Sequence, residues 1–208
     1  MAIHIVSVDL QNDFCTEGGV LYRPRPCVPF ITEMLLLFVR EHGYIFAEII
    51  SDYRTTEPRT RPSTCVPGQW GYQSLIPADV KHPSVWVKAA PSPTWTRAGA
   101  GQQHQLPGQP YPAPDAFSEW LTTVIGAPSA DQEIVLIGVM LEVCVLSTLQ
   151  ELKYRGYQVK VLFEGVDTHS GSVEQKQLLF DAFFPFWGQA FSWAEWKDSQ
   201  RSGLVGKR

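Results

Sequence analysis

The chain has 208 residues, enough for one sizeable hydrophobic core, and this length does not require two domains. A formal net charge of -4 at pH 7 and the absence of a long Lys/Arg run argue against nucleic acid or a membrane surface as a partner. No run approaches about 18 apolar residues, and the N-terminal residues lack the order of a signal peptide, so we expect a cytoplasmic protein whose partners are small molecules or copies of itself.

Short β-branched runs alternate with longer amphipathic segments, a pattern typical of βαβ units and therefore of a parallel sheet. In the first half of the chain the predicted elements are a strand at 3–10, a helix at 27–43, a strand at 44–51 and a strand at 84–89. The residues that share the apolar face of the helix are Ile31, Leu35, Phe38 and Val39. Gly43 is expected to end it.

A loop rich in Gly, Gln and Pro follows from 90 to 114, and a loop of this length is usually a lid, a binding loop or an oligomer arm. The elements predicted after it are a helix at 115–126, a strand at 133–140, a helix at 144–156, a strand at 157–165, a helix at 173–184 and a strand at 188–193. Ser172 and Gln175 have the spacing of a capping box. We expect one domain over residues 1–197 and a flexible tail at 198–208.

Four polar side chains stand at or just past the carboxyl ends of predicted strands: Asp9, Asp52, Lys88 and Cys144. Because ligands of an open parallel sheet bind outside the carboxyl ends of its strands, these side chains can converge in one crevice although they are distant in sequence. Taken singly, each has an ordinary interpretation as a turn residue, a solvated lysine or a core cysteine.

Cys144 is predicted between a buried strand and the helix that it opens, where helix N–H groups and the helix dipole favour its thiolate. Backbone N–H groups in such a turn can also receive a developing oxyanion. Asp9 is expected to accept the thiol proton and return it to a leaving amine, while Lys88 holds the two negative charges together. The other three cysteines, Cys15, Cys27 and Cys65, are assigned to reduced, buried thiols.

Three motifs in order, "VDLQNDF" (8–14), "WVKAAPSPTW" (86–95) and "GVMLEVCV" (138–145), resemble the isochorismatase-like cysteine hydrolases. The resemblance spans about residues 3–170 and implies a doubly wound, three-layer α/β/α fold with a six-stranded, mainly parallel sheet. It also implies a catalytic triad of Asp9, Lys88 and Cys144 that hydrolyses a small amide through a thioester.

The resemblance further implies a cis peptide bond between Val139 and Met140, which aims the backbone N–H groups of Met140 and Cys144 at the oxyanion. The thiol separates this chain from true isochorismatases, which have no nucleophilic cysteine. Amide hydrolysis is therefore the expected chemistry.

The chain departs from the pattern of family members that hydrolyse nicotinamide, which carry a metal site built from Asp-x-His and a later His. Arg54 and Thr64 occupy the two His places here, so we predict no metal and no other cofactor. Arg54 is expected either to pair with Asp52 or to bind a substrate carboxylate. Leu141 stands where many relatives have Thr, which makes it a candidate substrate contact.

Aromatic residues in the predicted loops are further candidates for substrate binding, with core packing as an equal alternative: Phe14, Trp70 and Trp95. The Arg/Pro clusters at 22–26 and 53–62 are more often solvated loops or subunit contacts than anion sites. His169 is interpreted as structural.

These observations predict a metal-independent cysteine amidohydrolase that acts on a small amide, ureido or carbamoyl compound. Two alternatives stay open: a nicotinamidase-like amidase, and a non-catalytic ligand-binding or assembly protein with a redox-sensitive thiol. By analogy with the family we expect a homodimer or homotetramer, in which the aromatic stretch at 183–193 serves either core or interface.

Overall fold

Six parallel strands form the central sheet of the protein. The structure is a computed structural model that describes residues 2–55 and 62–205, with side chains as far as Ser199. In chain order the strands are β1 (Ala2–Val8), β2 (Phe46–Ser51), β3 (Trp86–Lys88), β4 (Trp95–Thr96), β5 (Tyr111–Pro112), β6 (Gln132–Val139), β7 (Val159–Asp167) and β8 (Gln189–Phe191). The sheet order is β3-β2-β1-β6-β7-β8, and β4 pairs with β5 in a separate antiparallel ribbon.

The strand order reverses between β1 and β6, which lie side by side in the middle of the sheet. The chain moves outward from β1 through β2 to β3 and then returns to place β6 on the other side of β1. Val8 is in register with Ile49 of β2 and Gly138 of β6, and Ser51 with Lys88. The carboxyl ends of four strands therefore meet at this switch point, where α/β proteins bind ligands.

Helices cover both faces of the sheet. They are α1 (Asn12–Cys15), α2 (Cys27–Pro29, a π-helical Phe30–Leu35 and Leu36–His42), α3 (Pro114–Ile125), α4 (a π-helical Leu141–Val145 and Leu146–Tyr154), α5 (Val173–Trp187) and α6 (Trp193–Val205). Helices α3, α4 and α5 pack on one face, and α2 and α6 on the other. The predicted three-layer α/β/α fold with a six-stranded sheet is confirmed, and the sheet is parallel throughout.

The strands alternate between the two hydrophobic cores, as a period of two requires. Ile134 and Leu136 of β6 pack with the core under α3 to α5, while Val135 and Ile137 pack with the core under α2. Every residue of β6 is buried. The continuous apolar sequence of this strand is thus explained by helices on both of its faces.

The largest departures from the predicted elements lie around the later helices. Helix α4 begins at Leu141, three residues before the predicted start, and β7 continues to Asp167. The 90–114 loop contains the β4–β5 ribbon. Helix α6 runs to Val205, through most of the segment predicted as a tail, and residues 206–208 lie outside the described residues.

Two helix ends agree with their sequence signals. Ser172 Oγ accepts a hydrogen bond from the backbone N–H of Gln175 at the start of α5, and Gly43 ends α2 in a left-handed conformation with φ of 69°. Residues 56–61 of the predicted Arg/Pro cluster at 53–62 are not among the described residues. In the described part of the chain, no helix is both long and apolar enough to cross a membrane.

Candidate active site

Asp9 directly follows β1 and is buried at the switch point of the sheet. Its backbone N–H donates to the carbonyl of Ile49 at 2.9 Å, and its φ of 55° turns the chain sharply away from the strand. Aspartate tolerates this left-handed region better than most residues. The side chain is 1% exposed, so its carboxylate needs charged or hydrogen-bonding partners.

Lys88, the last residue of β3, supplies the charged partner. Its Nζ lies 2.8 Å from Asp9 Oδ2, and the side chain is 0% exposed. It also donates to Ser51 Oγ at 2.9 Å, and that hydroxyl donates to Asp9 Oδ1 at 2.8 Å. Burial alone lowers the pKa of Lys88, but the charges of Asp9 and Cys144 outweigh it and raise that pKa well above its ordinary value. The residue is therefore an ammonium at any working pH.

Cys144 brings its sulfur to the same place from the first turns of α4. The Sγ atom lies 3.4 Å from Lys88 Nζ, and the side chain is 5% exposed. Burial raises the pKa of Cys144 to about 11, although the Lys88 charge lowers it in part, and a hydrogen bond to Asp9 raises it further. The expectation that the helix start favours the thiolate was wrong for the resting site, because burial dominates. The thiol keeps its proton, and Asp9 is placed to accept it.

Tyr53 is a member of this cluster that the sequence analysis missed. Its hydroxyl oxygen lies 2.6 Å from Lys88 Nζ and 3.6 Å from Cys144 Sγ. The residue follows β2 by two positions and pairs with Thr64 in an isolated β-bridge. Its position just past a strand, at the same sheet edge as Asp52, is the signal that could have identified it.

A cavity of about 230 Å³ opens beside the thiol. The described residues that line it are Phe14, Leu21, Tyr53, Pro62, Thr64, Pro91, Met140, Val143 and Cys144. Phe14, a predicted substrate contact, is among them. Because most of these side chains are apolar, the cavity suits a small, flat group without charge.

Three other predicted contacts lie elsewhere. Leu141 is 3% exposed and packs in the core under α3 to α5, because the helix that begins there turns its side chain inward. Trp70, in a short 3-10 helix, and Trp95, the first residue of β4, are 46% and 39% exposed and are not among the described residues that line the cavity. The sequence could not show whether these aromatic side chains border the cavity, because tertiary contacts set the path of the segments that carry them.

Arg54 pairs with Asp52 and is not available to a substrate carboxylate. Its Nε and Nη2 donate to the two oxygens of Asp52 at 2.8 and 2.6 Å. The remaining donors reach backbone carbonyls of the 90–114 loop, those of Gly99 at 2.7 Å, Gln102 at 3.2 Å and Gln105 at 2.6 Å. All five N–H groups of the guanidinium are thus engaged, and the residue fixes this loop against the sheet.

The residues around Asp52 do not fit a metal ion. Both carboxylate oxygens of Asp52 accept from Arg54, and Oδ2 also accepts from the backbone N–H of Gly101 at 3.1 Å. Arg54 brings a positive charge and no lone pair, and Thr64 Oγ1 faces the carbonyl of Pro62 at 3.4 Å. A cation at this position would have to displace a buried ion pair.

The turn between β6 and α4 contains a cis peptide bond between Val139 and Met140. The carbonyl oxygen of Met140 accepts from the N–H groups of Val143 and Val145 at 3.0 and 3.1 Å, which begins the helix. An oxyanion hole formed by the backbone N–H groups of Met140 and Cys144 stays a prediction.

The loop that precedes α2 and the loop that follows β7 are joined by hydrogen bonds. Arg25, from the cluster expected to be solvated, is 3% exposed and donates to the carbonyls of Thr168 at 3.0 Å and His169 at 3.2 Å. The N–H of His169 donates to Glu142 Oε1 at 2.9 Å, and its ring lies 3.2 Å from Met140 Sδ. His169 thus contacts Met140, one of the residues that line the cavity.

Solved structures share this arrangement of strands and helices, whereas no family model and no curated protein matches the sequence. An isochorismatase-like hydrolase from Alkaliphilus metalliredigens superposes with a TM-score of 0.68 at 19% identity, over 96% of this chain and 99% of that one. The chain has the isochorismatase-like hydrolase fold. The motifs at 8–14, 86–95 and 138–145 therefore correctly indicated the fold.

Two further solved structures have the same isochorismatase-like fold. A nicotinamidase/pyrazinamidase from Bacillus subtilis has a TM-score of 0.61 at 20% identity, over 91% of this chain and 99% of that one. The N-carbamoylsarcosine amidase from Thermoplasma acidophilum has a TM-score of 0.58 at 19% identity, over 92% and 95% of the two chains. At these identities the likeness establishes the fold, and the function has to be argued from the site.

Proposed function

We propose that the protein is a cysteine-dependent amidohydrolase that cleaves the C–N bond of a small amide, ureido or carbamoyl compound. The observation that carries the proposal is the position of Lys88 Nζ, 2.8 Å from a carboxylate oxygen of Asp9 and 3.4 Å from Cys144 Sγ beside a small cavity. A base, a cation and a nucleophile in mutual contact are the groups that acyl transfer requires. The names of the structural neighbours, hydrolases and amidases, support the same reaction class.

Acylation begins with transfer of the Cys144 thiol proton to Asp9. Since the pKa of the thiol is raised to about 11, free thiolate is scarce at neutral pH, and proton transfer has to accompany attack on the substrate carbonyl carbon. The S–C bond forms and the carbonyl becomes an oxyanion, for which the backbone N–H groups of Met140 and Cys144 are the proposed donors. Lys88 keeps its charge and offsets the negative charge passing between Asp9 and the sulfur.

Collapse of the tetrahedral intermediate breaks the C–N bond. Asp9 returns its proton to the leaving nitrogen, which departs as ammonia or an amine, and a thioester remains on Cys144. A water molecule then attacks the thioester, giving one proton to Asp9, and the acid is released as the proton passes back to the sulfur. The sum of the steps is the hydrolysis of one amide bond.

The cavity bears on the two alternatives. Its apolar lining and volume of about 230 Å³ favour a small acyl group without charge, such as the nicotinoyl group of nicotinamide. A metal-dependent nicotinamidase is disfavoured by the Arg54–Asp52 ion pair. A thiol that only senses oxidants needs neither a buried lysine nor a buried carboxylate, so contact of Asp9 and Lys88 with the sulfur disfavours a non-catalytic role.

Ammonia release from a panel of amides tests the proposal. The panel contains nicotinamide, benzamide, biuret, N-carbamoyl amino acids and ureidoacrylate analogues, so that it separates uncharged from carboxylate-bearing acyl groups. Release by the wild type should fall to background in Cys144→Ala and persist in Cys27→Ala, which removes another buried thiol from the start of α2. Undiminished release by Cys144→Ala would overturn the mechanism, and no release across the panel would favour the binding alternative.

A further inference from the structure

The hydroxyl group of Tyr53 contacts two members of the proposed triad at once. It lies 2.6 Å from Lys88 Nζ and 3.6 Å from Cys144 Sγ. An ammonium group only donates hydrogen bonds, so the phenol oxygen must accept from Lys88. The O–H of Tyr53 is then left for another acceptor, and the sulfur is within reach.

The ring of Tyr53 is held so that this contact persists. Its backbone N–H donates to the carbonyl of Thr64 at 3.0 Å and its carbonyl accepts from the N–H of Thr64 at 3.3 Å. Its ring packs edge-on against Phe14 with centroids 6.3 Å apart. The hydroxyl is therefore presented to the sulfur by a fixed scaffold, and no reorganisation is needed when charge develops there.

Burial also keeps the phenol in the donor form. Burial raises the pKa of Tyr53 far above its ordinary value, and the nearby Lys88 charge does not reverse this. The same hydrogen bond lowers the pKa of Cys144, against the larger effect of burial. The phenol thus keeps its proton across the working pH range. Its hydrogen bond stabilises the sulfur once the thiol has lost its proton and carries a negative charge.

We propose that Tyr53 is a fourth catalytic residue, whose hydroxyl donates a hydrogen bond to the Cys144 sulfur and stabilises the thiolate as Asp9 removes its proton. The inference rests on the proposed amidohydrolase function for its role in turnover. No proton is lost by Tyr53: the thiol proton moves to Asp9, and Tyr53 and Lys88 share the compensation of the negative sulfur. A donor already bonded to an ammonium is polarised and is stronger than an isolated phenol.

Alkylation of Cys144 by iodoacetamide measures this effect without any substrate. The rate is followed from pH 7 to pH 11 by peptide mass in the wild type and in Tyr53→Phe, which keeps the ring and removes only the hydroxyl. Loss of a hydrogen bond to a charged sulfur should raise the thiol pKa by about one unit. The alkylation rate on the neutral side should then fall about threefold, because the more basic thiolate is also intrinsically more reactive.

A matched control is Tyr157→Phe, which removes a buried hydroxyl that donates to the carbonyl of Gly126 at 2.8 Å, away from the thiol. This variant should alkylate at the wild-type rate at each pH. Fluorotyrosine at position 53, a stronger donor that keeps the ring, should shift the rate in the opposite direction to Tyr53→Phe. Together the variants separate loss of a donor from loss of packing.

Identical pH–rate lines for the wild type and Tyr53→Phe would overturn the inference. The outcome is independent of the proposed function. If no amide is hydrolysed but the alkylation line shifts, the amidohydrolase proposal fails and the Tyr53–Cys144 hydrogen bond stands. If amides are hydrolysed through Cys144 but Tyr53→Phe leaves the pH dependence of the alkylation rate unchanged, Tyr53 does not stabilise the thiolate and the proposed function stands.

Discussion

Substitution of Lys88 by Met should destabilise the fold as well as abolish turnover. Methionine nearly fills the same space but removes the ammonium that lies 2.8 Å from Asp9, whose side chain is 1% exposed. At an effective dielectric constant of about 20, the attraction at this distance is about 6 kcal/mol. Burial of the two charges offsets part of this, and breaking a buried pair by removing one partner costs about 3–5 kcal/mol. We expect a loss of that size in the free energy of unfolding at pH 7.

Urea unfolding of the wild type, Lys88→Met, Asp9→Asn and the double variant, which form a double-mutant cycle, measures this loss. Lys88→Met leaves the Asp9 carboxylate buried, with Ser51 and the thiol as its remaining side-chain partners among the described residues. Asp9→Asn combined with Lys88→Met removes both charges. The double variant should therefore recover part of the stability lost in Lys88→Met. A loss under about 1 kcal/mol for Lys88→Met, or no coupling between the two substitutions, would refute the assignment of a tight buried pair.

Two further predictions concern the loop anchor and the thiol. Arg54→Lys cannot reproduce five directed donors, so it should lower the free energy of unfolding by about 2–4 kcal/mol and speed proteolysis in the 90–114 loop. Arg40→Lys, in an exposed pair with Asp79, should leave the free energy of unfolding nearly unchanged. Because burial raises the pKa of Cys144 from 9.0 to about 11, the unfolded chain loses the thiol proton first as pH rises, and this favours unfolding. Between pH 8 and pH 11 the free energy of unfolding, measured with urea, should thus fall by about 2 kcal/mol more in the wild type than in Cys144→Ala. If this free energy had the same pH dependence in both proteins, the assignment of a buried neutral thiol would be contradicted.

The alternation of strand and helix patterns was enough to predict a parallel sheet and the meeting of Asp9, Lys88 and Cys144, whereas the six-stranded architecture was implied by the family resemblance. Both follow from local patterns and one topological rule, since parallel strands present their carboxyl ends at one edge. Contacts that depend on distant loops were not predictable in this way. Arg54 binds carbonyls that lie about fifty residues further along the chain, and no local pattern encodes those contacts.

The misplaced start of α4 and the missed helix α6 have different physical reasons. Helix α4 begins at Leu141 after Met140, which has no side-chain cap, so its start carries no sequence signal. Helix α6 has a signal that was overlooked: Ser192 N–H donates to Glu195 Oε2 at 2.6 Å, and Glu195 N–H donates to Ser192 Oγ at 3.2 Å. This reciprocal pair is a capping box, and it marks the start of the helix that replaces most of the predicted tail.

The protonation state of Cys144 was mispredicted because it depends on tertiary burial. Helix position and a nearby lysine both favour a thiolate, and both features are visible in sequence. The 5% exposure of the side chain outweighs them. In the proposed mechanism, Asp9 as proton acceptor is therefore as necessary as the Cys144 nucleophile.

The mass of the acid-quenched protein during hydrolysis of a substrate amide tests the central claim most directly. The wild type should carry an adduct equal to the acyl group, located on the peptide that contains Cys144 and released by hydroxylamine as a thioester is. Cys144→Ala should carry none and should not turn over. Steady turnover without any adduct on the wild type, and unimpaired in Cys144→Ala, would contradict covalent catalysis by this thiol.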